Sequence, residues 1–298
     1  MNTQTKGYIL AIAVSLVIGV SFIANTIVQR GGVRPETGAF FTFLFASAYS
    51  FTTIAFTKKL PQLKKAFVKH RNPMILMGIV NAVAAITWFH SLELLGPSLL
   101  GFMLRFSTII MVALSVVFLK ESFNRIEAFG AAITVIGAVI ISASNGITLQ
   151  TGMLIALFSA VAFSLAQFIS KKYIHKMEPV QMNAIRNFIM LFAIALFAAG
   201  TGSIMMPPAE TIPFIMLAAF AGPFFSFYLR YKAMQSMDLS KVAIITSLEP
   251  LVILFYSFLV FGDVLHGVQM IGSVLIFVGI MVLATARHAP KLLARWFL

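Results

Sequence analysis

Glu249 stands beside Pro250 inside an otherwise apolar run, SLEPLVILFYSFLVF. A carboxylate in such a place is costly unless it is paired, hydrated or protonated. Pro250 has no N–H to donate, so the carbonyl of Thr246, one turn earlier, loses its usual helical partner. Together they predict a polar site in a kinked helix, with Glu249 placed to take and release a proton. A structural Glu249, bonded to a neighbouring helix, fits the same residues. Arg105 lies in a second apolar run, RFSTIIMVALSVVFL. Its guanidinium keeps its proton, and its planar fork matches a carboxylate or phosphate. It is read as a solute contact, against snorkelling or a permanent ion pair. His90 and Glu93 are three residues apart on one helix face, a spacing that suits a proton relay or an interfacial anchor. Trp88, beside them, offers a ring on which a solute can stack, or a membrane-interface anchor. Asn25 is a hydrogen-bonding candidate for a solute or for an adjacent helix.

No arrangement in the chain suggests catalysis or metal binding. There is no cysteine, so thiolate sites and disulfides are excluded. The five histidines and nine acids are scattered without an HExxH spacing, and no GxS-type nucleophile has a histidine partner. Neither an enzyme nor a cofactor is expected.

The elements that must carry these groups are membrane helices. Of 298 residues, 60 % are hydrophobic and 10 % charged, against roughly 25 % charged in soluble domains. A spanning helix needs about 20 apolar residues, and ten segments qualify: 7–28, 37–57, 74–94, 97–119, 126–144, 151–170, 181–199, 211–231, 241–261 and 267–286. The first is too long for a signal-peptide core and is read as an uncleaved helix. Short connections such as Gly96-Pro97, Asn145-Gly146 and Gly262-Asp263 leave no room for a soluble domain. The expected fold is an all-α membrane protein.

The net charge of +13 is a topology signal, because cytoplasmic loops carry the excess of Lys and Arg. With the N-terminus inside, the clusters Lys58–Arg71, Lys171–Lys176 and Arg287–Arg295 all fall on the cytoplasmic side. Only Arg30 and Arg34 fall outside; Arg105, Arg186 and Arg230 lie within helices. The expectation is a multi-pass protein of the bacterial inner membrane, both termini cytoplasmic, with lipid around it and no nucleic-acid partner.

The two halves repeat. At an offset of 142 residues Phe89 falls on Tyr231, Ser98 on Ser240, Glu121 on Asp263, Gly130 on Gly272 and Gly137 on Gly279. The division is 1–145 and 146–298, five helices each. An odd number turns one half upside down relative to the other, and inverted repeats are the mark of secondary transporters with a midplane site.

These features resemble the EamA-type members of the drug/metabolite transporter superfamily. The resemblance rests on Ser247–Asp263 with Gly272 and Gly279, its first-half counterpart Arg105–Glu121 with Gly130 and Gly137, and the run Tyr231–Met234. It implies ten helices in two inverted five-helix repeats and a cavity lined mainly by helices 1, 3, 4, 6, 8 and 9, with Tyr228, Tyr231 and Gln167 facing it. It also implies alternating-access transport of small metabolites, often amino acids and often as export. The family commonly has an arginine in the second helix of each half. Arg186 matches, whereas Phe40–Phe43 stands in the first half.

The expected function is therefore transport of a small polar or zwitterionic, amino-acid-like metabolite, with Arg105 and Glu249 at the site and Glu249 as the proton-coupling group. A flippase for a lipid-linked group is the alternative; a channel or an intramembrane enzyme fits less well. Arg186 is expected to bond helix-end carbonyls near the cytoplasm, and Arg230 and Lys232 to be cytoplasmic-end charges. Glu121 and Asp263, at helix C-termini where acids oppose the dipole, are each expected to have a basic or backbone partner.

Overall fold

The computed structural model describes residues 3–119, 125–143, 147–236, 242, 245–246, 248–265 and 267–286. Glu121, the turn at Asn145-Gly146, Ser240, Ser247 and the basic residues Lys120, Lys241, Arg287, Lys291 and Arg295 lie outside them. The described residues form α1 (Thr3–Arg30), α2 (Pro35–Phe56), α3 (Leu60–Met103), α4 (Phe106–Leu119), α5 (Arg125–Ala143), α6 (Ile147–Tyr173) and α7 (Pro179–Gly200). After a single 3-10 turn come α8 (Ile212–Ala219), a π-helical stretch (Phe220–Ser226), α9 (Phe227–Ser236), α10 (Glu249–Phe261) and α11 (Val268–Ala286). Among the described residues, six helices are long and apolar enough to cross a membrane, and three shorter apolar ones accompany them.

The polarity is inside out relative to a soluble domain. Phe51, Leu154, Phe192, Leu196 and Phe255 are exposed, whereas Asn25, Asn81, Asn187, Arg186 and Glu249 are buried. Hydrocarbon outside offers no hydrogen bonds, so polar side chains must find partners within the bundle.

α3 departs from the expected boundaries. It starts at Leu60, inside the segment expected to be a loop, and continues past Gly96 to Met103. The basic segment 60–70 is helical because Leu63, Ala66 and Phe67, spaced for one helix face, pack against the core around Met74 and Met177. Non-helical backbone at His70 and at Gly96 (φ 71°) divides α3. The second break needs a residue without a Cβ, and it separates the two spans expected on either side of Gly96-Pro97.

Helices pack in reciprocal sets. α2 packs on α7 and α5 on α11, while α3 packs on α6 and α1 on α8 and α9; α1 also packs on α10, as α4 does on α6. The α5–α11 contact brings backbone against backbone. A Cβ on Gly137 would lie 2.6 Å from the Gly272 carbonyl oxygen, and one on Gly279 would lie 2.6 Å from that of Gly130.

Candidate functional site

Two helices break at the centre of the bundle. The span beginning at Pro97 is interrupted by a turn at Leu104–Arg105 before α4 resumes at Phe106. α10 begins at Glu249, with Pro250 in its first turn and Leu248 as its N-cap. Glu249 therefore opens a helix within the expected span 241–261, in which Val242, Ile245 and Thr246 are also helical. Pro is tolerated there because first-turn N–H groups lack helical partners anyway.

The Thr246 carbonyl, to which Pro250 has no N–H to offer, is bonded from across the bundle. Arg105 Nη1 donates to Thr246 O at 2.8 Å, and its Nη2 donates to Glu249 Oε2 at 2.8 Å. Arg230 Nη2 donates to the other carboxylate oxygen, Oε1, at 2.7 Å. Glu249 is 3 % exposed, Arg230 8 % and Arg105 9 %. Charge-assisted bonds of this length are among the strongest a protein makes, and they tie the break in one half of the chain to the break in the other. A second proline follows the same logic. Pro223 cannot donate in the π-helical stretch, Ser21 Oγ donates to Ala218 O at 2.9 Å, and Asn183 and Asn187 donate to Phe224 O and Pro223 O.

The Arg105–Glu249–Arg230 cluster forms one wall of a cavity of about 130 Å³. The other walls are Ser21, Phe22 and Asn25 from α1, Thr42 and Phe43 from α2, Asn81, Trp88 and Phe89 from α3, Ser159 and Phe163 from α6, Arg186 and Met190 from α7, and Phe227 from α9. Helices 2 and 7 thus contribute in addition to those the resemblance implied. Trp88 is held edge-on against Phe22, with ring centroids 4.9 Å apart. Asn25 Nδ2 donates to Ser21 O and its Oδ1 accepts from Thr42 Oγ1. Across the arginines lies a smaller space of about 40 Å³, lined by Gln167, Thr108, Met234 and Thr246 and again by Arg105 and Arg230. The ion cluster partitions the two.

Arg186 is 3 % exposed. Its Nη1 donates to Asn187 Oδ1 at 2.9 Å, and its guanidinium carbon lies 3.7 Å from the Phe227 ring centre and 5.9 Å from that of Phe43. It does not bond helix-end carbonyls near a membrane face as expected. The reason is packing: Asn183, Arg186, Asn187 and Met190 recur at helical spacing, so the face that holds the π-helical stretch also aims Arg186 at the cavity. Phe43, in the first half where the resemblance implied an arginine, meets that guanidinium face. Among the described residues Arg186 has no carboxylate within ion-pair distance. Cation–π contacts contribute roughly 0.5–2 kcal/mol, less than the several kcal/mol needed to desolvate an ion.

Arg230 also departs from its expected place at a cytoplasmic helix end. Pro223, Phe227 and Arg230 recur at i, i+4 and i+7 on the cavity face, a periodicity present in the sequence that separates Arg230 from Lys232. Lys232 instead sits over the Tyr228 ring at 4.9 Å. Tyr231 is buried in the packing cluster around Met74 and Met182; neither tyrosine lines the main cavity. His90 faces Glu36, Nε2 to Oε1 at 3.1 Å, with Nδ1 on Ile86 O. It too lies off the cavity wall, and Glu93 is exposed. Asp263 has the basic partner expected of it, Arg30 at 2.8 Å, and accepts from Ser257 Oγ.

Among the described residues the chain is a helical bundle with apolar outer faces, a buried ion cluster and a central cavity between broken helices, the architecture of a multi-pass membrane protein. The chain belongs to the EamA-like transporter family, whose profile matches it twice, at residues 5–143 and 150–285. A relative in Bacillus subtilis (strain 168), the uncharacterized transporter YvbV, is 26 % identical over 243 residues, 78 % of each chain. A solved crystal structure matches 97 % of this chain and all of its own, with a TM-score of 0.70 at 18 % identity, and so shows the shared fold. The protein is an integral membrane protein of a transporter family.

Proposed function

We propose that the protein is a secondary carrier built of ten helices in two inverted five-helix repeats, which moves a small carboxylate-bearing metabolite by alternating access. The observation that carries this is the Arg105–Glu249–Arg230 cluster, placed where two helices break and where two cavities meet. Broken helices around a central site are how carriers bind polar solutes at membrane depth. The twofold family match and the reciprocal helix packing support the inverted repeat.

A solute carboxylate can replace one oxygen of Glu249 on Arg105 or Arg230, so binding loosens the partition. The amino-acid-like solute expected from the sequence keeps its carboxylate half in this scheme. Its amine half meets a Glu249 whose two oxygens already accept from arginines. Proton coupling through Glu249 would act by the same exchange, since a protonated carboxyl holds two guanidiniums less strongly than an ionised one. Export, and the bacterial inner membrane with cytoplasmic termini, are the direction and location proposed.

A thermal-shift screen in detergent identifies the solute, because a ligand that binds the folded state raises stability by mass action. Proteoliposomes preloaded with that solute should then take up label faster than empty ones. Flux that rises linearly with concentration, without trans-stimulation, would indicate a channel. Arg105→Lys keeps the charge but loses the fork, and should weaken binding by roughly 1–3 kcal/mol.

A further inference from the structure

We infer that the central cavity selects a solute with net negative charge, a compact organic or inorganic anion carrying two negative charges. The inference rests on the carrier function proposed above and names its substrate class. Three guanidiniums, Arg105, Arg186 and Arg230, line one cavity, and Glu249 is the one carboxylate among its lining residues. Three positive charges against one negative leave an excess of two. Each arginine is more than nine-tenths buried, and arginine does not shed its proton to escape burial as lysine can. An unpaired buried charge is among the costliest features a fold can carry.

The hydrogen-bond pattern points the same way. The Nε of each of the three arginines is buried without a partner among the described residues, whereas native structures satisfy nearly all such groups. Among the described residues Arg186 has one hydrogen bond, to a neutral amide, and the face of Phe227. Arg230 shares that ring, its guanidinium carbon 5.8 Å from the centre, so the second and third cations flank one aromatic wall. A zwitterion would leave the excess charge as it found it. A dianion cancels it.

Size limits the anion. The cavity of about 130 Å³ is close to the roughly 150 Å³ engineered cavity that accepts benzene, so the solute has on the order of five to ten heavy atoms. Dicarboxylates of four carbons and inorganic phosphate both fall within reach.

The test is binding to the full-length protein in detergent at fixed ionic strength, by calorimetry and thermal shift, with succinate, inorganic phosphate, glutamate, alanine and glycerol. Succinate or phosphate should bind at least tenfold more tightly than alanine and glycerol, and whichever leads tells a carboxylate site from a phosphate one. Arg186→Gln should weaken the leading anion tenfold or more while leaving the fold monodisperse. Glu249→Gln should bind that anion as tightly as the wild type or several-fold more tightly, because it raises the excess charge; a zwitterion clamp demands the reverse. Alanine binding as tightly as the anions, no binding by any anion, or a tenfold loss in folded Glu249→Gln would each overturn the inference. Counterflow separates this from the carrier function. Exchange of alanine without anion binding sinks the anion class and leaves a carrier, and tight succinate binding without exchange does the opposite.

Discussion

Replacing Glu249 by glutamine should be the most damaging single-atom change in this protein. The substitution conserves shape but turns one acceptor oxygen into an NH2 group facing a guanidinium. In the native cluster Oε2 accepts from Arg105 at 2.8 Å and Oε1 from Arg230 at 2.7 Å, at 3 % exposure. At an effective dielectric near 20, opposite charges about 4 Å apart attract by about 4 kcal/mol, and the carboxylate has two such partners. Much of that attraction offsets desolvation. The measured cost of removing one partner from a buried pair is roughly 3–5 kcal/mol, because the ions left behind stay buried. For a chain of this size, that should lower the melting temperature in detergent by on the order of 10 °C. The assay is a thermal melt followed by gel filtration, run as a double-mutant cycle with Arg105→Met. Charge removal on both sides should recover part of the loss, giving a coupling of at least about 1 kcal/mol between the sites. A Glu249→Gln protein that melts within 1–2 °C of wild type, or strictly additive losses in the cycle, would refute the claim that the cluster holds the two breaks together.

Asp263→Asn offers the contrast: its bridge to Arg30 has side chains 35 % and 51 % exposed, so its loss should cost at most about 1 kcal/mol, read as a melting shift of no more than a few degrees. Gly137→Val should destabilise far more, by roughly 1–3 kcal/mol from overpacking, since its Cβ meets α11 backbone 2.6 Å away; an unchanged melt would show that α5 and α11 can separate. Phe43→Ala removes one of the aromatic faces beside Arg186 and should weaken anion binding less than Arg186→Gln does, a ranking that calorimetry reverses if the ring and not the charge sets affinity. A cysteine at Lys65, in a chain with no native cysteine, should resist an impermeant thiol reagent applied to intact cells and react once they are opened. Labelling from outside would invert the topology.

The membrane setting and the half-chain repeat were legible because they are written in composition and period. Long apolar runs and Gly pairs at a constant offset survive any arrangement of the helices. The Pro250 defect was equally local: Pro250 has no N–H to offer the Thr246 carbonyl, whatever surrounds it. Which group bonds that carbonyl from across the bundle was not local. Arg105 lies 141 residues away from Thr246, and only packing of the two breaks against each other brings its guanidinium there. Arg186 and Arg230 show the limit most plainly. In sequence each is a cation near the end of an apolar run, and position along the run alone assigns such residues to the cytoplasmic end of a helix. Their burial follows from which side of α7 and α9 turns inward, and that is decided by the Asn183 and Asn187 bonds to the π-helical carbonyls and by the aromatic wall around Phe227. His90 marks the converse. Its spacing from Glu93 suggested a pair on one helix, yet its partner is Glu36 on another. Sequence spacing fixes neighbours along a helix, whereas a charged site at membrane depth is assembled across helices, where the cost of an unpaired ion selects the partner.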